Sequence, residues 1–168
     1  EALIGEIHSL ETQRDLRAVV LTGAGTKAFC GGVDIGALRG LDALSAREFI
    51  GLVHEACAAL RACPVPVIAR INGWCIGGAL EIAAACDLRI AADNAFFGMP
   101  EVKVGIPSVV EAALLPRLIG WGRTSWLLLT AENIDAATAD RWGMVEQVVP
   151  AAKLDAAIER CVTSIVEG

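Results

Sequence analysis

A chain of 168 residues is long enough for one domain with a substantial core, and too short for two ordinary domains to be expected. Hydrophobic residues make up 55% of it, and the net charge of −6 at pH 7 leaves no basic footprint for a nucleic-acid backbone. Arg70, Glu81, Asp87, Arg89, Glu101, Glu111 and Arg117 break the richest apolar region before it reaches the ~18 uninterrupted residues of a membrane span.

One domain over residues 1–168 is therefore expected, with neither nucleic acid nor membrane as a partner. A mean hydropathy of +0.55 is high and points to surface buried between subunits as well as within one. Cys30, Cys57, Cys63, Cys75, Cys86 and Cys161 are scattered without CxxC spacing, which predicts unpaired thiols, no metal site, and a reducing, cytoplasmic compartment. The chain opens in a helical pattern at Glu1-Ala2-Leu3-Ile4 rather than at a methionine, and so reads as a piece of a longer one.

In chain order, Leu3, Ile4, Ile7 and Leu10 recur at helical spacing, and Ala18 to Thr22 reads as a buried strand. A glycine-rich loop follows from Gly23 to Asp34, at a strand end where α/β proteins bind ligands. It is not a phosphate loop: GxxxxGK[ST] is absent, and Ala28 occupies the last position of GxGxxG. Ser45-Ala46-Arg47-Glu48 has the form of a capping box with Ser45 as the cap. Phe49, Ile50, Val53, Cys57 and Leu60 then mark one face of a scaffold helix, on which His54 is read as structural, as is His8 on the first helix.

Pro64 and Pro66 lead into the strand Val67 to Ile71, and Asn72-Gly73 turns the chain. A short apolar helix from Gly78 to Cys86 and a strand from Leu88 to Ala92 complete a βαβ-like unit, which makes the fold class α/β. A loop from Gly98 to Ser108 follows. Val109 to Ile119 is helical in pattern with a kink expected at Pro116. The rest reads as helix at Trp126 to Thr130, helix at Asp135 to Trp142, strand at Val145 to Val149, and a last helix opened by Pro150.

The chemistry concentrates between Gly77 and Glu101. Gly77-Gly78 either permits close helix packing or presents bare N–H groups where a helix begins, a place that favours negative charge. A second donor is available from the Gly32-Val33 backbone if the two strand ends are neighbours. Glu81, between Leu80 and Ile82, is either a first-turn acid or a group facing the glycine turn; Glu101 follows Met99-Pro100 in a loop. Paired carboxylates near an oxyanion site suit proton transfer alpha to a thioester or similar carbonyl. There is no GxSxG elbow and no HExxH.

Four stretches carry a resemblance: Ala28-Phe29-Cys30-Gly31-Gly32-Val33-Asp34-Ile35, Asn72-Gly73-Trp74-Cys75-Ile76-Gly77-Gly78-Ala79-Leu80-Glu81, Cys86-Asp87-Leu88-Arg89-Ile90-Ala91, and Pro100-Glu101. In this order and over nearly the whole chain, they resemble the enoyl-CoA hydratase/isomerase (crotonase) family. The resemblance implies a crotonase-like ββα spiral core, here without the opening strands and closing helices of longer members, in a homotrimer or a hexamer built as a dimer of trimers. It implies an acyl-CoA thioester as substrate, with coenzyme A part of that substrate and no separate cofactor. Val33 and Gly78 would supply the oxyanion hole. Glu81 and Glu101 would be the catalytic acid and base, holding a water between them, with Glu101 the proton donor. Lys27, Ala28, Phe29, Gly31, Gly32, Asp34, Ile35, Gly77 and Pro100 would meet the substrate.

That pattern implies hydration of a trans-2-enoyl-CoA to a 3-hydroxyacyl-CoA. Enoyl-CoA isomerisation, or another crotonase-type reaction, is the alternative; a silent acyl-CoA-binding protein is the alternative of another class. Two departures bear on these. The run from Glu101 to Pro107 is one residue shorter than the hydratase pattern, and Pro107-Ser108-Val109-Val110-Glu111 replaces a glycine-rich helix start. Glu111 is then either a first-turn helix acid, favoured by the dipole, or an extra pocket acid.

Overall fold

The computed structural model describes residues 1–168 except Glu11, Ile35, Arg39 and Val109. Its parallel sheets and helices make the α/β class plain. Strand β1 (Val19–Thr22) turns into β2 (Ala28–Cys30) and helix α2 (Ala43–Ala62), after an opening helix α1 (Ala2–Leu10). The pattern repeats as β3 (Val67–Ile71), β4 (Trp74–Ile76) and α3 (Gly78–Ala85), and its strands recur as β5 (Leu88–Ala92) and β6 (Phe96–Gly98). In each unit the first strand joins one sheet and the second strand the other. This is the ββα repeat that the resemblance implies, rather than the simple βαβ rhythm read from periodicity.

The first sheet runs β1-β3-β5-β8, all parallel, with β8 at Gln147–Val149; Val19 stands opposite Val67, and Ile68 opposite Leu88. Its central strands read as near-continuous apolar runs because β3 and β5 are covered on both faces. The second sheet runs β2-β4-β6-β7, with a two-residue β7 (Ile134–Asp135) antiparallel at its edge. The expected glycine loop over Gly23 to Asp34 thus contains a strand. Three-residue strands are too short for period-2 alternation to register.

Several ends differ from the sequence reading. Helix α2 begins earlier, with Asp42 as its N-cap: Asp42 Oδ1 accepts the Ser45 N–H at 2.9 Å, while Ser45 Oγ accepts the Asp42 N–H at 3.0 Å. Ser45 is therefore the third helical residue of the box, not its cap. The Val109 to Ile119 helix becomes a 3-10 turn at Ala112–Leu114 followed by α4 (Leu115–Ile119). Pro116 starts that helix instead of kinking it, since its missing N–H falls where no intrahelical acceptor exists. Helices α5 (Trp121–Thr130), α6 (Ala136–Trp142) and α7 (Leu154–Glu167) complete the chain, and Pro150 precedes a 3-10 turn, Ala151–Lys153, rather than α7 itself.

Two polar clamps hold the strands that carry the site. Asp87 pairs with Val67 in both directions, its Oδ2 accepting the Val67 N–H at 2.8 Å and its N–H donating to Val67 O at 2.9 Å. Arg89, 3% exposed, meets Glu146 at 2.5 Å and donates to the carbonyls of Cys86 and Met144. A buried guanidinium with its donors so used locks β5 to the chain entering β8. No helix among the described residues is long and apolar enough to cross a membrane.

Candidate active site

Helix α3 reads GALEIAAA, and its one charged residue, Glu81, is 4% exposed. Burial of a carboxylate without compensation is prohibitive, so its partners decide what it is for. Oε1 accepts two main-chain N–H groups, from Glu111 at 3.1 Å and Ala112 at 2.8 Å. Burial pushes its proton affinity above the ordinary glutamate value; the Ala112 N–H opposes this, and the nearby charges of Glu101 and Glu111 add to it. Two donors on one oxygen leave the other to point elsewhere. A methyl group built on Gly78 would lie 4.0 Å from Oε2 and 3.6 Å from Val33 Cγ2, so the Val33 loop, the start of α3 and the free side of Glu81 converge.

Gly77 precedes the helix with φ 61° and ψ −131°, a conformation side-chain-bearing residues rarely adopt. Its N–H is used by the sheet, bonding Gly98 O at 2.8 Å. The next N–H, that of Gly78, belongs to the first turn of α3, where the helix offers no acceptor. Gly32, with φ 85°, brings the other loop equally close: a Cβ there would sit 2.6 Å from Ile76 O.

Glu101 opens a 3-10 turn, Glu101–Val104, rather than lying in open loop. Its Oε2 accepts the Ser108 hydroxyl at 3.1 Å, and its Oε1 would lie 2.7 Å from a Cβ at Gly77. The shortened run to Pro107 thus leaves Glu101 against the glycine turn. Lys103, in the same turn, donates to Ala131 O at 2.7 Å and pins the turn to the end of α5.

Glu81 and Glu101 line one cavity of about 210 Å³, together with Gly31, Gly32, Val33, Gly77, Gly78 and Pro100. The remaining wall is mostly apolar: Leu38, Phe49, Ile50, Val53, Val104, Ile106 and Val110 contribute. The structure therefore brings together both carboxylates, both expected oxyanion donors and four of the expected substrate-contact residues. It does not bring the others there. Lys27 and Asp34 are exposed and do not line the cavity, Asp34 Oδ1 instead accepting the Gly36 N–H at 2.8 Å. Ala28 lies in β2, and the Phe29 side chain is in the hydrophobic core. Ile35 lies outside the described residues.

Three contributors went unseen in sequence: the α2 wall, Ser108, and His54 as the partner of Glu111. Helix α2 is scaffold only in its second half, where Cys57 and Leu60 are buried; Phe49, Ile50 and Val53 wall the cavity. Ser108 was part of a departure from pattern and proves to be the hydrogen-bond partner of Glu101. Glu111 is neither a first-turn acid nor a lining residue. It precedes a three-residue 3-10 turn without capping it, is 8% exposed, and meets His54 Nδ1 at 2.5 Å. His54 is correspondingly not a bystander on a scaffold helix; its partner lies 57 residues away, beyond any spacing rule. Among the described residues there is no group of three or more His, Cys, Asp or Glu that could hold a metal ion.

The enoyl-CoA hydratase/isomerase family model matches residues 1–168. The short-chain-enoyl-CoA hydratase of Clostridium acetobutylicum is 42% identical over 153 residues, which are 90% of this chain and 58% of that protein. The crotonyl-CoA hydratase of Syntrophomonas wolfei is 46% identical over 132 residues, 78% of this chain and 51% of that one. Among solved structures, an enoyl-CoA hydratase from Bacillus anthracis superposes with a TM-score of 0.95 at 35% identity, covering 99% of this chain and 65% of that chain. Pseudomonas aeruginosa DspI does so with a TM-score of 0.94 at 37% identity, covering 99% and 64%. The chain spans little more than half the length of the curated relatives it matches. With a family model spanning all its residues and relatives above 40% identity, the chain belongs to the enoyl-CoA hydratase/isomerase family.

Proposed function

We propose that this protein hydrates a trans-2-enoyl-CoA to the 3-hydroxyacyl-CoA. The observation that carries the reading is the placement of Glu81 and Glu101 on one apolar cavity, beside the Val33 loop and the Gly78 helix start. The thioester oxygen is held by the N–H groups of Val33 and Gly78, which stabilise the negative charge that develops there. A water sits between the two carboxylates. Glu81 takes one of its protons as the oxygen bonds to the β-carbon. The double-bond electrons move towards the thioester oxygen, and Glu101 delivers a proton to the α-carbon. The proton gained by Glu81 restores Glu101 before the next turnover.

Apolar walls and modest volume favour a short acyl group, as do two relatives whose names specify short-chain-enoyl-CoA and crotonyl-CoA. Coenzyme A enters as part of the substrate, and no other cofactor takes part. Exposed Trp121, Trp126 and Leu129 on α5 support a homotrimer or a hexamer, and six free cysteines support a cytoplasmic location.

The test is hydration of crotonyl-CoA by the full-length protein, followed as loss of enoyl-thioester absorbance. Glu101→Gln is expected to lower turnover by ~10²-fold or more, the scale of a lost general acid or base; unchanged turnover overturns the assignment. Activity on a 3-enoyl-CoA that survives Glu81→Gln, without hydration, would instead mark an isomerase. Acyl-CoA binding with no turnover would mark a silent binder.

A further inference from the structure

A second buried acid stands next to Glu81 and has no part in the reaction as proposed. Glu111 contributes to Glu81 in two opposed ways: its main-chain N–H is one of the two donors to Oε1, and its carboxylate is a like charge close by. Unscreened, that charge would work against the ionised Glu81. The screen comes from helix α2. His54 Nδ1 lies 2.5 Å from Glu111 Oε1, a separation that requires a hydrogen between them. The His54 side chain is 65% exposed and that of Glu111 10%, so the pair reaches from solvent to the wall behind Glu81.

We propose that the His54–Glu111 pair is a positioning device for Glu81, tying the turn whose two N–H groups hold Oε1 to helix α2 and screening the Glu111 charge from Glu81. The inference rests on the reading of Glu81 as a reacting group. The same helix supplies Phe49, Ile50 and Val53 to the cavity, so the tie also fixes the distance between the apolar wall and the carboxylate. The titratable groups around Glu81 are Glu101 from the 3-10 turn that it opens, Glu111, and Cys57 from α2; burial pushes the Cys57 thiol up to about 12, which keeps it uncharged. Cys86, just after α3, is held neutral in the same way, and Arg61 bears on Cys57 rather than on Glu81. Among these groups and the described residues, the His54 ring alone brings a donor to the Glu111 carboxylate.

The experiment follows the carboxyl carbon of Glu81 through a pH titration by NMR, in the full-length protein labelled at glutamate and assigned with Glu81→Gln. Removing the screen with His54→Ala should raise the Glu81 midpoint, and removing the like charge with Glu111→Gln should lower it, each by roughly half a unit or more. His54→Gln, which keeps a donor, should return the midpoint towards wild type. Midpoints unchanged in both variants, or shifted in the same direction, would overturn the proposal, because a purely structural contact lowers stability without moving Glu81 in opposite senses. The acidic limb of the crotonyl-CoA hydration profile should move with the midpoint. A protein that shows opposite NMR shifts but no hydration would retain the pair and lose the functional reading.

Discussion

Glu101 reaches so far across Gly77 that a single methyl group at position 77 would stand 2.7 Å from its Oε1. The glycine turn and the acid are thus one piece of geometry, built from the start of α3 and the 3-10 turn after β6. Gly77→Ala is expected to lose about 1–3 kcal/mol of stability from its φ of 61° and to displace Glu101 as well. Urea unfolding and crotonyl-CoA turnover should both fall. Gly5→Ala in α1, with open space around it, is the control and should gain about 0.5–1 kcal/mol.

Ser108 holds Glu101 by its other oxygen at 3.1 Å. Losing a hydrogen bond that strengthens as the Glu101 carboxylate forms removes about 1.5 kcal/mol, or roughly tenfold. Ser108→Ala should therefore lower kcat about tenfold while leaving KM within about twofold. Steady-state kinetics on crotonyl-CoA checks this, and a change confined to KM would assign Ser108 to binding instead.

Glu81 makes the fold depend on pH. Its folded-state proton affinity is raised above the ordinary value of 4.5, so the stability it contributes is fully present below that value and is lost as pH rises through the folded midpoint. Glu81→Gln can still accept the N–H groups of Glu111 and Ala112 and does not ionise. The variant is expected to be more stable than wild type at pH 8, with the advantage shrinking as pH falls towards 4.5. Thermal melts across that range decide it, and a variant less stable at every pH would contradict the linkage.

Arg89 has a structural role. Arg89→Leu leaves the carbonyls of Cys86 and Met144 without a donor and breaks the contact with Glu146. Because Glu146 is 38% exposed and can rehydrate, the loss should fall near the lower end of the about 3–5 kcal/mol seen for broken buried pairs. Urea denaturation measures it.

Thiol chemistry should divide the cysteines by depth. Burial pushes Cys57 and Cys86 up to about 12 and Cys75 well above the ordinary thiol range, whereas Cys30 is exposed. An aromatic disulfide reagent at pH 8 should label Cys30 first, Cys63 and Cys161 more slowly, and the other three only in denaturant. Mass spectrometry of the labelled peptides gives the order.

The long central strands and α3 were legible because β3 and β5 are covered on both faces and mostly apolar, and α3 carries a single charge. The two glycine turns and the two glutamates that share the cavity stand out in the sequence for the same reason: charge and flexibility show against an apolar background. Strands β2, β4 and β6 escaped because three residues cannot establish a period. Ser45 was mistaken for a cap because Asp42-x-x-Ser45 and Ser45-x-x-Glu48 overlap, and the aspartate won the competition for the first free N–H. The His54–Glu111 pair and the cavity wall on α2 depend on packing between distant segments, which local pattern does not encode.

The division of labour along α2 has a consequence for how such a protein can change. Phe49, Ile50 and Val53 face the cavity, while Ala56, Cys57, Ala59 and Leu60 sink into the core about one turn later. Substitutions at Phe49 and Ile50 can reshape what the cavity admits without disturbing the packing that holds the helix down, whereas Val53 also packs against the core. The shape of the cavity is therefore separable from foldability on a single element, by small steps at two adjacent positions.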